Sequence, residues 1–147
     1  VTPSAERETG FRKALADQGL RLDENLIASG TFNANTGYKA AKTLLSNPHP
    51  PEAIFASNDM MAVGALRAAH ELGLSIPGDL SLVGFDDIEL ASYVVPPLTT
   101  IAQPKNEIGK AAVELIIRRI TEPKRSPEKI MLQNTLVQRS SCRRFPS

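Results

Sequence analysis

The sequence predicts an α/β domain with a mostly parallel sheet and helices on both faces. Three observations carry this. Short apolar runs and amphipathic stretches alternate four times, the signature of consecutive βαβ units. Gly, Pro, Asn or Asp punctuates the junctions between them. The chain has 147 residues, 41% hydrophobic and 22% charged, which suits one folded domain and not a disordered one.

Pro3 and Ser4 open the first helix, because Pro fits a first turn and Ser caps free amides. Phe11, Ala14, Leu15 and Gln18 repeat at helical spacing, and Gly19 ends the run. Leu26-Ile27-Ala28 reads as a short buried strand, broken by Gly30-Thr31-Phe32-Asn33. A second helix is expected from about Asn35 to Ser46, with Tyr38, Ala41, Leu44 and Leu45 on one face. Pro48-His49-Pro50-Pro51 is a turn that neither a helix nor a central strand tolerates.

Ala53-Ile54-Phe55-Ala56 is the next strand. Ser57-Asn58-Asp59 can cap a helix from Met60 to Leu72, closed by Gly73. After the turn Ile76-Pro77-Gly78-Asp79, Leu80 to Phe85 is a strand, and Asp86-Asp87 begins a loop or short helix to about Ser92. Leu98 to Ile101 is a strand between Pro96-Pro97 and Gln103-Pro104. Ile108, Ala111, Ala112, Leu115, Ile116 and Arg119 mark an amphipathic helix to about Ile120. A polar linker runs from Pro123 to Pro127, a last strand from Lys129 to Arg139, and a basic, frayed tail from Ser140 to Ser147.

The net charge of +1 excludes a strongly basic nucleic-acid surface over the whole chain. One cysteine, Cys142, excludes an internal disulfide. No apolar run approaches the roughly 18 residues of a membrane span, and no signal segment opens the chain. His49, His70 and Cys142 have no metal-ligand spacing, and no phosphate loop, nucleophile elbow or dinucleotide fingerprint occurs. No catalytic residue, metal or cofactor is therefore expected.

Ligands of an open parallel sheet bind outside the carboxyl ends of its strands. Phe32, Asn58, Asp59, Asp86, Asp87 and Gln103 follow successive strands there. An aromatic face, amides and carboxylates on one rim suit a small polar ligand such as a sugar or purine. Capping accounts for one of Asn58 and Asp59, and Asp86 or Asp87 can serve as a cap or turn former. Phe32 can also be core. Arg7 lies in a first helical turn, against the macrodipole's preference, and is either an arginine with an outside partner or a solvated one. Asp86 and Asp87 would face opposite ways in an extended chain, which argues against a general acid/base pair.

Three segments together resemble the lactose/galactose-repressor (LacI/GalR) family of bacterial transcription regulators. Ala53-Ile54-Phe55-Ala56-Ser57-Asn58-Asp59-Met60-Met61-Ala62-Val63-Gly64-Ala65 is similar to its strand, Asn-Asp and helix motif. Ile76-Pro77-Gly78-Asp79-Leu80-Ser81-Leu82-Val83-Gly84-Phe85-Asp86-Asp87 and Pro96-Pro97-Leu98-Thr99-Thr100-Ile101 with Gln103-Pro104 are similar to two further motifs. Ser4-Ala5-Glu6-Arg7 with Gly10-Phe11 matches too, so the resemblance runs from about Thr2 to Arg139.

The resemblance implies a type I periplasmic-binding-protein-like core, incomplete here. Residues 1–102 would be the C-terminal effector-binding subdomain without its first strand. Residues 103–125 would form a crossover helix belonging to the N-terminal subdomain, 126–139 a returning strand and 140–147 a tail. It implies effector contacts from Ser4, Arg7, Phe32, Asn58, Asp86 and Gln103, with Phe32 stacking and Asn58 and Asp86 bonding to hydroxyls. Lys105 departs from the aromatic of some sugar-responsive members. Expected partners are a sugar-like or purine-like effector, a second copy through Met60–Leu72 and Leu90–Val95, and operator DNA only through a helix-turn-helix absent from this chain. The location implied is cytoplasmic and the protein is not an enzyme. A periplasmic sugar-binding protein of the same fold is the alternative.

Overall fold

In a computed structural model, which describes residues 3–144, the sheet is built from β1 (Ala53–Phe55), β2 (Ser81–Asp86), β3 (Thr99–Ala102) and β4 (Thr135–Val137), in that spatial order. β1, β2 and β3 are parallel; β4 joins β3 antiparallel. Ile54 stands beside Leu82, and Gly84 beside Thr100. Parallel pairing follows from the helical crossovers, and it brings the carboxyl ends of three strands to one rim. Leu80, Leu82 and Leu98 are buried in the core beneath that rim.

The helices are α1 (Pro3–Asp17), α2 (Ala34–Leu45), α3 (Asp59–Glu71), α4 (Leu90–Tyr93) and α5 (Lys105–Thr121). The core side of α3 is mostly alanine: Ala62, Ala65, Ala68 and Ala69 are buried. Such small residues let α2 approach closely. Gly37 lies against the backbone of Met61 and Gly64 against the Ala34 carbonyl, where a methyl group would overlap. α1 touches the sheet by stacking Phe11 on Phe55, ring centroids 5.6 Å apart. Neither α1 nor α5 has a buried residue. No described helix is long and apolar enough to cross a membrane.

Four expectations are corrected. Leu26-Ile27-Ala28 is not a strand; a single 3-10 turn spans Glu24–Leu26. Ile27 is extended (φ −106°, ψ 127°), but among the described residues no strand runs beside it. On the open side of β1 is instead a cavity of about 250 Å³, lined by Phe11, Leu26, Ile27, Ile54 and Met61 among others. An apolar run becomes a strand only when a neighbour completes its ladder.

The last strand shrinks from the expected 129–139 to Thr135–Val137, because β3 offers only four residues to pair with. Nor is the tail frayed at residues 140–142. Ser141 is buried: its hydroxyl donates to the Leu82 carbonyl (2.6 Å) and accepts from the Thr99 N–H (2.8 Å). Its own carbonyl accepts from the Leu82 N–H. β2 and β3 pair only from Val83 and Thr99 onward, so Leu82 needs this partner. Residues 145–147 lie outside the described residues. Finally, Met61, expected on a face open to a second copy, belongs to the core.

Candidate functional site

β2 ends in Asp86, and the chain turns there through two consecutive residues in the left-handed region, Asp86 (φ 109°) and Asp87 (φ 49°). Phe32 (φ 58°) has the same kind of backbone. Non-glycine residues held this way cost about 1–3 kcal/mol each, and such strain clusters at ligand sites. The bend turns the two carboxylates to different partners. Asp86 Oδ1 accepts from Gln103 Nε2 at 2.6 Å and from Arg7 Nη2 at 3.4 Å. Asp87 Oδ1 accepts from Arg139 Nη2 at 2.7 Å.

Arg7 reaches this rim from the first turns of α1. Its Nη1 donates to the Ser57 carbonyl, and its guanidinium carbon stands 3.8 Å from the Phe85 ring centroid and 5.9 Å from that of Phe32. Its side chain is 15% exposed, so it is not a solvated arginine. The partner read from its unfavourable place on the helix dipole lies within the chain. Phe32 is exposed, not core, and presents a ring beside that guanidinium. Gln103 follows β3 directly and bonds across to Asp86, as the parallel order requires. Ser4 lines the 250 Å³ cavity with Phe32 and Ser57, next to the Asp86 cluster and not within it.

Of Asn58 and Asp59, either of which local sequence allows as the cap, the structure selects Asn58. Asn58 is the N-cap of α3: its Oδ1 accepts from the Met61 N–H at 2.9 Å, while its Nδ2 donates to the Phe32 carbonyl at 3.0 Å. Both ends of the amide are occupied inside the protein, one holding the helix and the other the Phe32 loop. Asp59 is the first helical residue and is fully buried. It accepts from the Thr100 hydroxyl (2.6 Å) and the Ile88 N–H (2.9 Å). Burial pushes its carboxyl above the usual 3.8, the two hydrogen bonds oppose that rise, and nearby Asp86 and Asp87 add to it.

The rim therefore gathers Arg7, Phe32, Asp86 and Gln103, with Asn58 bracing it. Sequence reasoning missed two contributors, Phe85 and Arg139, and read a third, Lys105, only as a departure from the family. Phe85 supplies the ring under Arg7; its position one residue before Asp86 in a strand was the available signal. Arg139 spans from the Leu98 carbonyl to Asp87, and it stands at the end of the last apolar alternation. Lys105 Nζ donates to the Asp87 carbonyl at 2.9 Å. The two carboxylates are thus each met by an arginine, and Lys105 adds a third cation on the Asp87 carbonyl. Carboxylate, guanidinium and amide groups beside two ring faces suit a polyhydroxylated ring: hydrogen bonds to hydroxyls at the edge, apolar contact on the flat side.

A family model described as a periplasmic binding protein-like domain matches residues 1–142. The ribose operon repressor of Escherichia coli strain K12 is 42% identical over 141 residues, which cover 96% of this chain and 43% of the repressor. The HTH-type transcriptional repressor PurR of Escherichia coli O139:H28 is 41% identical over 137 residues, covering 93% of this chain and 40% of PurR. Among solved structures, a LacI family transcriptional regulator from Enterococcus faecium with bound ribose matches with a TM-score of 0.84 at 34% identity. That match covers 95% of this chain and 51% of the regulator. The chain thus spans about two fifths of the length of these curated relatives.

Proposed function

The chain belongs to the family of periplasmic-binding-protein-like domains, its relatives are LacI-family repressors, and from this we propose that it is the effector-sensing half of such a regulator, binding a small sugar at the Asp86 rim. One observation carries the reading: Arg7, Gln103 and Asp86 converge from α1, the end of β3 and the end of β2. Among the described residues no hydrogen bond reaches Asp86 Oδ2, which leaves a charged acceptor for a ligand hydroxyl. Phe32 offers its exposed ring to the apolar face of the same ligand. The ribose named for two of the relatives makes a pentose the first candidate.

The rest of the surface supports a part that works against other parts. The α5 face carrying Ile116, Ile117 and Ile120 is exposed, as are Ile130 and Met131 after it. We assign residues 103–125 to a crossover that packs against a second subdomain, and Thr135–Val137 to the return. Tyr93 (73% exposed) and Val95 (91% exposed), with Met60 and Leu72, form the surface for a second copy. The mechanism is a population shift: the effector favours one arrangement of the subdomains, and the dimer passes that preference to a DNA-binding domain in the cytoplasm.

Calorimetry on the full-length protein tests this. D-ribose, or failing that a purine nucleobase, is expected to bind saturably at one site per chain. Saturable binding of neither overturns the reading.

A further inference from the structure

We propose that Asp59 is a positioning residue of this site: by accepting the Ile88 N–H, its buried carboxylate holds the bend at Asp86 and Asp87 in the left-handed backbone that aims Asp86 at Arg7, Gln103 and the effector. The proposal rests on the reading of the Asp86 rim as the effector site and says what sets its shape.

Asp59 sits where three elements meet. It opens α3, it accepts the hydroxyl of Thr100 in β3, and it accepts the N–H of Ile88 just past the bend. Its carboxylate lies over the Gly84 and Thr100 pair that joins β2 to β3. Gly84 has no Cβ, and one there would collide with Asp59 Oδ1, so a glycine at this point of β2 leaves room for the carboxylate. Both oxygens are used, and no water-facing role is open to a residue that is fully buried.

The bend needs such a tie. Asp86 and Asp87 both carry positive φ without being glycine, a conformation that persists only when its surroundings over-determine it. Arg139 holds the Asp87 side chain, and Lys105 holds the Asp87 carbonyl. The backbone immediately after the bend is held by Asp59 through the Ile88 N–H. Releasing that N–H lets the bend relax, and Asp86 Oδ1 then loses its register with Gln103 and Arg7.

The test compares three variants of the full-length protein. In Asp59→Ala both hydrogen bonds are lost. In Asp59→Asn the amide oxygen accepts from Ile88 and the amide N–H₂ donates to the Thr100 oxygen, so the tie survives. Leu80→Ala removes core packing far from the bend and serves as a stability control. Hydrogen exchange in the absence of ligand is read over residues 86–90, and D-ribose affinity is read by calorimetry well below each melting temperature. Asp59→Ala is expected to accelerate exchange at 86–90 and to weaken D-ribose by about tenfold or more. Asp59→Asn is expected to restore both, and Leu80→Ala to alter neither despite its lower melting temperature.

Unchanged exchange at 86–90 in a folded Asp59→Ala overturns the proposal. So does a Leu80→Ala that matches it in both measurements. A wild-type protein that ignores D-ribose counts against the pentose reading alone, because the exchange measurement judges the tie without any ligand.

Discussion

Replacing Asp86 by alanine separates a ligand-binding carboxylate from a merely structural one. The carboxylate has two ties, to Gln103 at 2.6 Å and to Arg7 at 3.4 Å. The Arg7 and Asp86 side chains are 15% and 26% exposed, so the pair is partly desolvated. Its loss does not strand Arg7, which keeps the Ser57 carbonyl and the Phe85 ring face. Folding stability should therefore drop by about 1–2 kcal/mol. Binding should suffer more, because an effector hydroxyl loses its charged acceptor in a partly desolvated site. That amounts to about 2–4 kcal/mol, roughly 30- to 900-fold in Kd. Titration calorimetry with D-ribose on the full-length protein reads the affinity, and urea unfolding of the same samples reads the stability. A folded Asp86→Ala whose affinity stays within threefold of wild type would refute the reasoning and reduce Asp86 to a brace for Gln103.

Gly84→Ala drives a methyl group into Asp59 Oδ1 and Leu98 Cδ2 and should destabilise the fold by about 1–3 kcal/mol; an unchanged urea midpoint would contradict the close packing described. Asn58→Ala should cost about 1–2 kcal/mol through the lost cap of α3, whereas Asn58→Asp keeps the cap but replaces the donor to the Phe32 carbonyl with a second acceptor. Equal losses in the two variants would show that the cap is not what Asn58 provides. The buried Asp59 carboxyl, raised above 3.8, binds its proton more tightly in the folded state. Its contribution to stability is complete below pH 3.8 and is lost as pH rises through the folded value. Against Asp59→Asn, whose side chain does not titrate, wild type should lose relative stability as pH climbs from about 4, and parallel pH profiles would disprove this. Finally, the 147-residue chain by itself should sediment heavier than its 15.9 kDa, and Ile116→Glu with Ile120→Glu should shift it toward monomer; a monodisperse wild-type monomer at tens of micromolar counts against an unpartnered α5 face.

What the sequence determined by itself was local or periodic. The helices carry their spacing and their stop signals in a few consecutive residues, so α2, α3 and α5 were placed to within about three residues at either end. β1, β2 and β3 are short, mostly apolar or β-branched runs between breakers, and they pair as parallel neighbours. The rim at the carboxyl ends follows from that order, which is why Asp86 and Gln103 could be named before they met; Arg7 was named from its place in a first helical turn and from the family resemblance. Tertiary structure decided everything that depends on a partner distant in the chain. Ile27 is extended but not a strand, because strand identity belongs to the pair and not to the run. Ser141 leaves the polar tail for the core because Leu82, 59 residues earlier, has an unfilled N–H and carbonyl. Asn58 and Asp59 are equally good caps on paper. The space above Gly84, the Thr100 hydroxyl and the Ile88 N–H select Asp59 for the interior and leave Asn58 to cap. A hydrogen-bond preference is a property of one side chain, but its fulfilment depends on which groups the fold brings within 3 Å of it.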